Sequence, residues 1–409
     1  MLDKPILLDE TFNAHLMKIN DNMAVMNEHM RKLVLATGGD YKKPAVDSTT
    51  VWEEIQVLCR NGKVTSVLEV GDVYNVTRDG KTYPFAVMDF ITEGGKKGSL
   101  QIKNRNLTTG VIFQSLNVLY DVQFDEREAF YAAINEGLPA GTYNFTLGAH
   151  SWYSADVGKT FQFTLTQDIP KGGQLVWTQA YNATLEGGGI NTFASPDSMS
   201  KIETVTMTEG YNGTSLGTIN NAINDNFNSC QRTFFGSNRW MTSAMRQHLN
   251  SDDIAGNVWI PQTPWDRPPN WVASTKGFLN GLDEHLQKYI VEMEVNTYRN
   301  TVCDGGGIDT ATDKIFLAGR NECYFPQEGD DDGVAWEFYK VGSQYSEPLN
   351  GADPIRIKTN QSGSPHSWWL RSPYVGNAIG VRHVDSTGAY DYTSAAAAII
   401  GVAPAFVIA

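Results

Sequence analysis

Between residues 12 and 33 apolar side chains recur at an unbroken alternation of four and three: Phe12, Leu16, Ile19, Met23, Met26, Met30 and Leu33. That spacing places them all on one seam of an α-helix. Asn13, Asn20, Asp21, Asn22, Asn27 and Glu28 occupy the turns between them, Asp9 stands where an N-cap belongs, and Gly38-Gly39 ends the pattern. A helix packed on its own domain carries a wider apolar stripe than a strict a/d line. Residues 1–40 therefore predict a coiled coil that oligomerises the chain, with a trimer preferred. A methionine-rich seam of this length is weak by itself, so other parts of the protein must help hold the oligomer.

Nothing comparable follows. A polar linker from Asp40 to Thr50 leads into VWEEIQVLCRNG, a short helix, and then into two β runs joined across Arg78-Asp79-Gly80. EREAFYAAINEG reads as a second short helix ending at Gly137. Three alternating segments follow it, within 138–149, 158–170 and 172–181, separated by Gly and Pro turns. They predict a small β-sandwich or meander inserted over 125–205. Beyond residue 206 two helical stretches, SNRWMTSAMRQHLNS and TKGFLNGLDEHLQKYI, flank a Pro- and Trp-rich loop. Short strands run from there to GVAPAFVIA, whose length to the last residue predicts that it is tied into a sheet. With 38 glycines and 10 tryptophans in 409 residues, turns, short strands and aromatic loops are expected, not a helical bundle. The fold class expected is α+β, divided into an anchor helix (1–40), first strands (51–124), an insert (125–205) and a C-terminal domain (206–409).

The segments NRWMTSAMRQHLN, GFLNGLDEHL, TATDKIFLAGRNECYF, EGDDDGVAWEFYK, SWWLRSPYVGN and GVAPAFVIA occur in that order. Together they resemble the C-type-lectin-like domain common in gut bacteria and their phages, whose members include the variable proteins of diversity-generating retroelements. The pairing of Trp368–Pro373 with Gly401–Phe406 carries most of the resemblance. It spans about residues 206–409 and takes in the strands of 51–124 as part of the same domain, which is also formylglycine-generating-enzyme-like in fold. The resemblance implies a rigid scaffold displaying a diversified ligand-binding face between the tryptophan motif and the last strand. Carried over to this chain, that face comprises Tyr374, Asn377, Ile379, Arg382, His383, Asp385, Tyr390, Asp391, Tyr392, Thr393 and Ser394.

The residue types support the same reading independently. Trp368, Trp369, Leu370, Val402, Phe406 and Ile408 can build a core, whereas the stretch between them is small and polar with scattered tyrosines. Tyr, Asn, Ser and Gly are the usual chemistry of adaptable binding surfaces. The alternative is a solvated hairpin turning at Asp385-Ser386-Thr387-Gly388.

A formal net charge of −14, with no basic stripe, argues against a nucleic-acid partner. No segment approaches the roughly 18 apolar residues of a spanning helix. The opening MLDKPILLDETF lacks the layout of a secretory signal, so synthesis in a host cytoplasm is expected. Asn-x-Ser/Thr triplets at Asn75, Asn106, Asn144, Asn182, Asn212 and Asn360 are then coincidental. Cys59, Cys230, Cys303 and Cys323 are widely spaced and read as buried thiols; they match no zinc spacing. The related oxidase fold uses a paired-cysteine site, and neither Cys303 nor Cys323 falls in a matching motif. The acidic run Glu328–Gly333 lacks EF-hand spacing and reads as a solvated turn. The histidines His15, His29, His150, His248, His285, His366 and His383 form no metal-binding pair, although His366 and His383 could line the binding face. No cofactor and no enzymatic activity are expected. The expected role is a virion-surface receptor-binding protein, at a tail-fibre tip or as a head decoration. Its partners would be a host-surface protein or glycan, other virion proteins and its own copies. A structural virion-assembly protein, or a bacterial surface adhesin, is the alternative.

Overall fold

The computed structural model describes residues 41–126 except 93, and residues 238–409 except 263–267, 302, 303, 305, 330–332, 377–379 and 397. Between these two blocks it describes Asp168 and the backbone of the strands given below. Phe12, Leu16, Ile19, Met23, Met26, Met30 and Leu33, the predicted oligomerisation seam, lie outside the described residues.

The chain is α+β, with mostly antiparallel sheets and few, short helices. Helix α1 (Val51–Arg60) buries Val51, Trp52, Ile55, Leu58 and Cys59. A single turn, α2 (Val64–Val67), leads to β1 (Val73–Arg78) and β2 (Lys81–Ile91), which pair in register from Arg78↔Lys81. Asp79 and Gly80, at φ 52° and 71°, form the two-residue turn with both central residues left-handed that matches strand twist. This is the hairpin that Arg78-Asp79-Gly80 predicts. The strands β3 (Lys96–Lys97), β4 (Leu100–Ile102), β5 (Gly110–Ser115) and β6 (Asp121–Val122) complete the first block.

In the insert, residues 130–134 of the helix expected over EREAFYAAINEG are a strand instead: β7 (Phe130–Ile134) pairs antiparallel with β10 (Gly173–Trp177), from Phe130↔Trp177 to Ile134↔Gly173. Ladder bonds to a segment some forty residues away override the local helical pattern. With β8 (Gly141–His150), β9 (Thr160–Leu165), β11 (Ala183–Leu185), β12 (Gly188–Gly189), β13 (Ile202–Glu209) and β14 (Gly217–Asn220) these form two four-stranded sheets, ordered β12-β11-β10-β7 and β14-β13-β8-β9.

The helical pattern of 237–251 is realised as a 3-10 turn at Trp240–Thr242 and α3 (Ala244–Asn250), capped where the Ser243 hydroxyl accepts from the Arg246 amide at 3.2 Å. The pattern of 275–290 breaks into α4 (Phe278–Gly281) and α5 (Glu284–Gln287). Asp283 caps α5, its carboxylate accepting from the amides of His285 and Leu286. Strands β15 (Met293–Tyr298), β16 (Ile308–Asp313) and β17 (Ile315–Phe316) follow, then α6 (Glu337–Gly342), β18 (Lys358–Thr359) and β19 (Pro365–His366). The chain closes with β20 (Trp368–Pro373), β21 (Gly380–Val384), β22 (Tyr390–Ser394), β23 (Ile400–Gly401) and β24 (Ala405–Ile408).

Two five-stranded sheets carry the fold, and each joins strands of residues 41–126 to strands of residues 238–409. One runs β1-β2-β5-β24-β17, so the last strand is held between β5 and β17; the other runs β22-β21-β20-β23-β6. Trp52, Phe85, Phe113 and Phe406 pack under the first with centroid separations of 5.4–5.9 Å. That geometry adds to burial energy. Trp336, Tyr339 and Trp368 stack in a second layer. The Arg371 guanidinium donates to both Glu322 carboxylate oxygens (2.6 and 2.7 Å), the Ser99 hydroxyl and the Leu317 carbonyl. Glu322 also accepts from the Ser99 hydroxyl and the Gly319 amide. This buried knot ties the loop before β4 to the segment after β17 and to β20.

Cys59 and Cys323 are free, buried thiols; burial pushes the Cys59 thiol up to about 12. Cys230 and Cys303 lie outside the described residues. No helix among the described residues is long and apolar enough to cross a membrane.

Candidate ligand-binding surface

The polypeptide between the tryptophan strand and β22 is a scaffolded hairpin. Strands β20 and β21 pair from Trp368↔Val384, and β21 pairs with β22 from Val384↔Tyr390 to Gly380↔Ser394. The loop joining β20 to β21 is clamped at its ends. The Tyr374 amide donates to the Gly380 carbonyl at 2.8 Å, and the buried Asn238 amide group donates to the same carbonyl, also at 2.8 Å. Asn300 in turn donates to the Asn238 side-chain oxygen at 2.7 Å. Asn377 and Ile379, on that loop, lie outside the described residues.

Strand alternation divides the predicted site residues between two faces. Arg382 faces Tyr392 across the ladder, with Tyr390 and Ser394 on the same side; His383, Asp391 and Thr393 are on the other. His383 is buried, its ring 6.3 Å from Trp369, and burial pulls its imidazole below the usual histidine range. His366, the other candidate histidine, pairs with Asp121 at 2.7 Å, on β19 and β6. Asp385 is consumed by its own turn, its carboxylate accepting from the Thr387 amide, the Thr387 hydroxyl and the Ala389 amide. Partial burial works against its charge, but those bonds outweigh it and hold the carboxyl below its ordinary value.

The turn is not simply solvated. Gly388 adopts φ +80°, and a Cβ there would stand 2.0 Å from the buried Asp353 carbonyl. The hairpin tip therefore packs onto the domain, and the Tyr390 amide donates to the Asn350 carbonyl at 3.0 Å. The expectation that this stretch builds no core also needs correction. Every residue of β21, the strand between β20 and β22, is buried.

Four of the predicted residues, Tyr374, Arg382, Tyr390 and Tyr392, form a cluster. The Arg382 guanidinium carbon lies 4.1 Å from the Tyr374 ring centroid, 4.4 Å from Tyr390 and 5.3 Å from Tyr392, and the Tyr374 and Tyr392 rings are 4.6 Å apart. Tyr392 is 45% exposed. Arg382 itself is buried and forms a forked ion pair with Glu328, with Nε to Oε2 at 2.7 Å and Nη2 to Oε1. The Tyr390 hydroxyl donates to the same carboxylate at 2.6 Å, and Arg320 lies 4.2 Å from the Tyr390 ring. Burial and the bond to Glu328 raise the Tyr390 phenol well above its ordinary pKa, so it stays neutral and a donor. A platform results in which the Glu328 carboxylate, paired with Arg382 and 3.7 Å from Arg320, fixes tyrosine rings beside solvent.

Glu328 and Arg320 are the members that the sequence does not single out. The acidic run containing Glu328 reads as a solvated turn, and no local spacing links residue 328 to residue 382. One clue is Gly329, where a Cβ would stand 2.3 Å from the Tyr298 ring. The backbone there must pass close to an aromatic ring, which puts Glu328 inward.

Residues 217–409, the part of the chain that holds this platform, match the model of a family described as a domain of unknown function, DUF6273. No curated protein and no solved structure matches the chain.

Proposed function

We propose that the protein is a non-enzymatic recognition protein of a virion surface, a tail-fibre tip or head decoration, and that the Tyr374–Arg382–Tyr390–Tyr392 platform binds its host-surface partner. The observation that carries the reading is the platform itself: aromatic side chains held in place by Glu328, with Tyr392 left open to solvent. Tyrosine and arginine are the residues that dominate binding energy at interfaces, and side chains fixed before binding lose little entropy on contact. The clamped loop ends and the packed hairpin tip support it further, since main-chain and scaffold contacts hold the surface whatever side chains it displays.

In this reading the α+β domain is a C-type-lectin-like scaffold without calcium chemistry, and residues 12–33 form a trimeric coiled coil. Three weak sites on one axis then gain avidity through effective concentration. The second reading, a virion-assembly protein, has the same platform binding another virion subunit. Particles carrying Tyr390→Ala with Tyr392→Ala separate the two. Normal assembly with adsorption to host cells reduced at least tenfold is expected. Failed assembly of a normally folded variant supports the scaffold instead, and unchanged assembly and adsorption reject both.

A further inference from the structure

Among the described residues strand β22 is the outer edge of its sheet, and its outward side has a defined hydrogen-bonding pattern. The Asp385 amide donates to the Ala389 carbonyl at 2.9 Å, which sets the parity of the ladder. Asp391 and Thr393 turn their main-chain groups toward β21, and Tyr390, Tyr392 and Ser394 turn theirs outward. The two ends of this edge are occupied, since the Tyr390 amide donates to Asn350 and the Ser394 carbonyl accepts from Ala398. In the middle, the Tyr392 amide donates to the carboxylate of its neighbour Asp391, at 2.8 Å, and to no other group among the described residues. The Tyr390 and Tyr392 carbonyls and the Ser394 amide meet no partner among the described residues.

We propose that this edge is the main-chain half of the recognition surface: the partner is a protein that adds an extended, basic segment to β22 as a further strand. The proposal rests on the reading of the tyrosine platform as a binding face and names the class of partner it takes. An incoming strand displaces the Asp391 carboxylate from the Tyr392 amide and bonds there, to the two open carbonyls and to the Ser394 amide. Asp391 is exposed, so the freed carboxylate meets a lysine or arginine of the incoming strand. Arg382 lies on the opposite face of the sheet from Asp391, with its guanidinium held by Glu328. The other side chains of the strand lie along Tyr390 and Tyr392, which face the platform. Main-chain bonds supply affinity that does not depend on side-chain identity, and the flanking rings supply selectivity. Asp391 meanwhile guards the edge against unwanted pairing while no partner is present.

Ser394→Pro isolates this contact. It deletes an outward amide that the β21 ladder does not use, at an edge position where proline is tolerated. A random linear peptide library is selected on the full-length protein, and the enriched peptides are measured on wild type, Ser394→Pro and Tyr392→Ala. Enriched sequences rich in Lys or Arg, binding Ser394→Pro at least tenfold more weakly, are expected. Hydrogen exchange of residues 390–394 in the wild-type protein, read with and without a selected peptide, keeps the test independent of any variant, and slower exchange is expected. Unchanged affinity in Ser394→Pro together with unchanged exchange overturns the proposal, as does a library that yields no binder. Loss in Tyr392→Ala with none in Ser394→Pro overturns the strand inference but keeps the binding face; loss in neither overturns both.

Discussion

Replacing Glu322 with glutamine is expected to destabilise the protein by about 3–5 kcal/mol, the usual cost of removing one partner from a buried ion pair. The Glu322 and Arg371 side chains are each 1% exposed, so water cannot take over the four bonds that the carboxylate accepts. Glutamine keeps the volume but leaves the Arg371 charge without a counter-ion and turns an amide N–H toward a donor. A domain of this size loses roughly 2–4 °C of Tm per kcal/mol, so a drop of roughly 6–20 °C is expected in thermal unfolding. Adding Arg371→Met should recover much of the loss, because the stranded charge goes with it. A drop below about 1 kcal/mol in the single variant would show that the knot is dispensable.

Lys358→Met is expected to act in the opposite direction, and only below alkaline pH. Lys358 is buried, its ammonium donating to the Ser115 carbonyl at 2.5 Å and lying 4.8 Å from the Trp368 ring centroid. Burial pulls its pKa down to about 7. In the unfolded chain the amine titrates at about 10.4. Between those values the unfolded chain holds more protons, so the lysine's contribution to stability rises with pH across that window and its penalty is largest below pH 7. Methionine carries no such penalty. The variant should therefore exceed wild type by about 2–4 kcal/mol at pH 6, with the gap closing toward pH 10. Denaturant melts of both proteins at the two pH values read this directly. A gap that does not change with pH would mean that the ammonium is fully compensated inside the core by Ser115 and Trp368.

Legibility in the sequence followed the range of the interactions. The Asp79-Gly80 hairpin, α1 and the Trp368–Pro373 strand were readable because turn chemistry and apolar runs are local. The strand Phe130–Ile134 was not, because its partner lies at 173–177 and its own letters favour a helix. The candidate site divided in the same way. Tyrosines around residue 390 signal a surface, but alternation alone does not say which face is open. The ladder register sends His383 inward and Tyr392 outward. Asp385 looked like a ligand contact and is a turn cap, since an aspartate two and four residues ahead of free amides bonds them first. Glu328 was hidden because its partner Arg382 is brought to it only by the packing of Gly329 on Tyr298 and by the hairpin register.

The central claim is that Tyr392 and its neighbours touch a partner and are not merely packed on one another. The most direct measurement is the binding isotherm of the purified full-length protein on host cells, for wild type and Tyr392→Ala, with Tm recorded for each. A half-exposed ring contributes little to folding, so a Tm within a few degrees of wild type and at least tenfold weaker binding are predicted. Equal binding by two equally stable proteins would contradict the account.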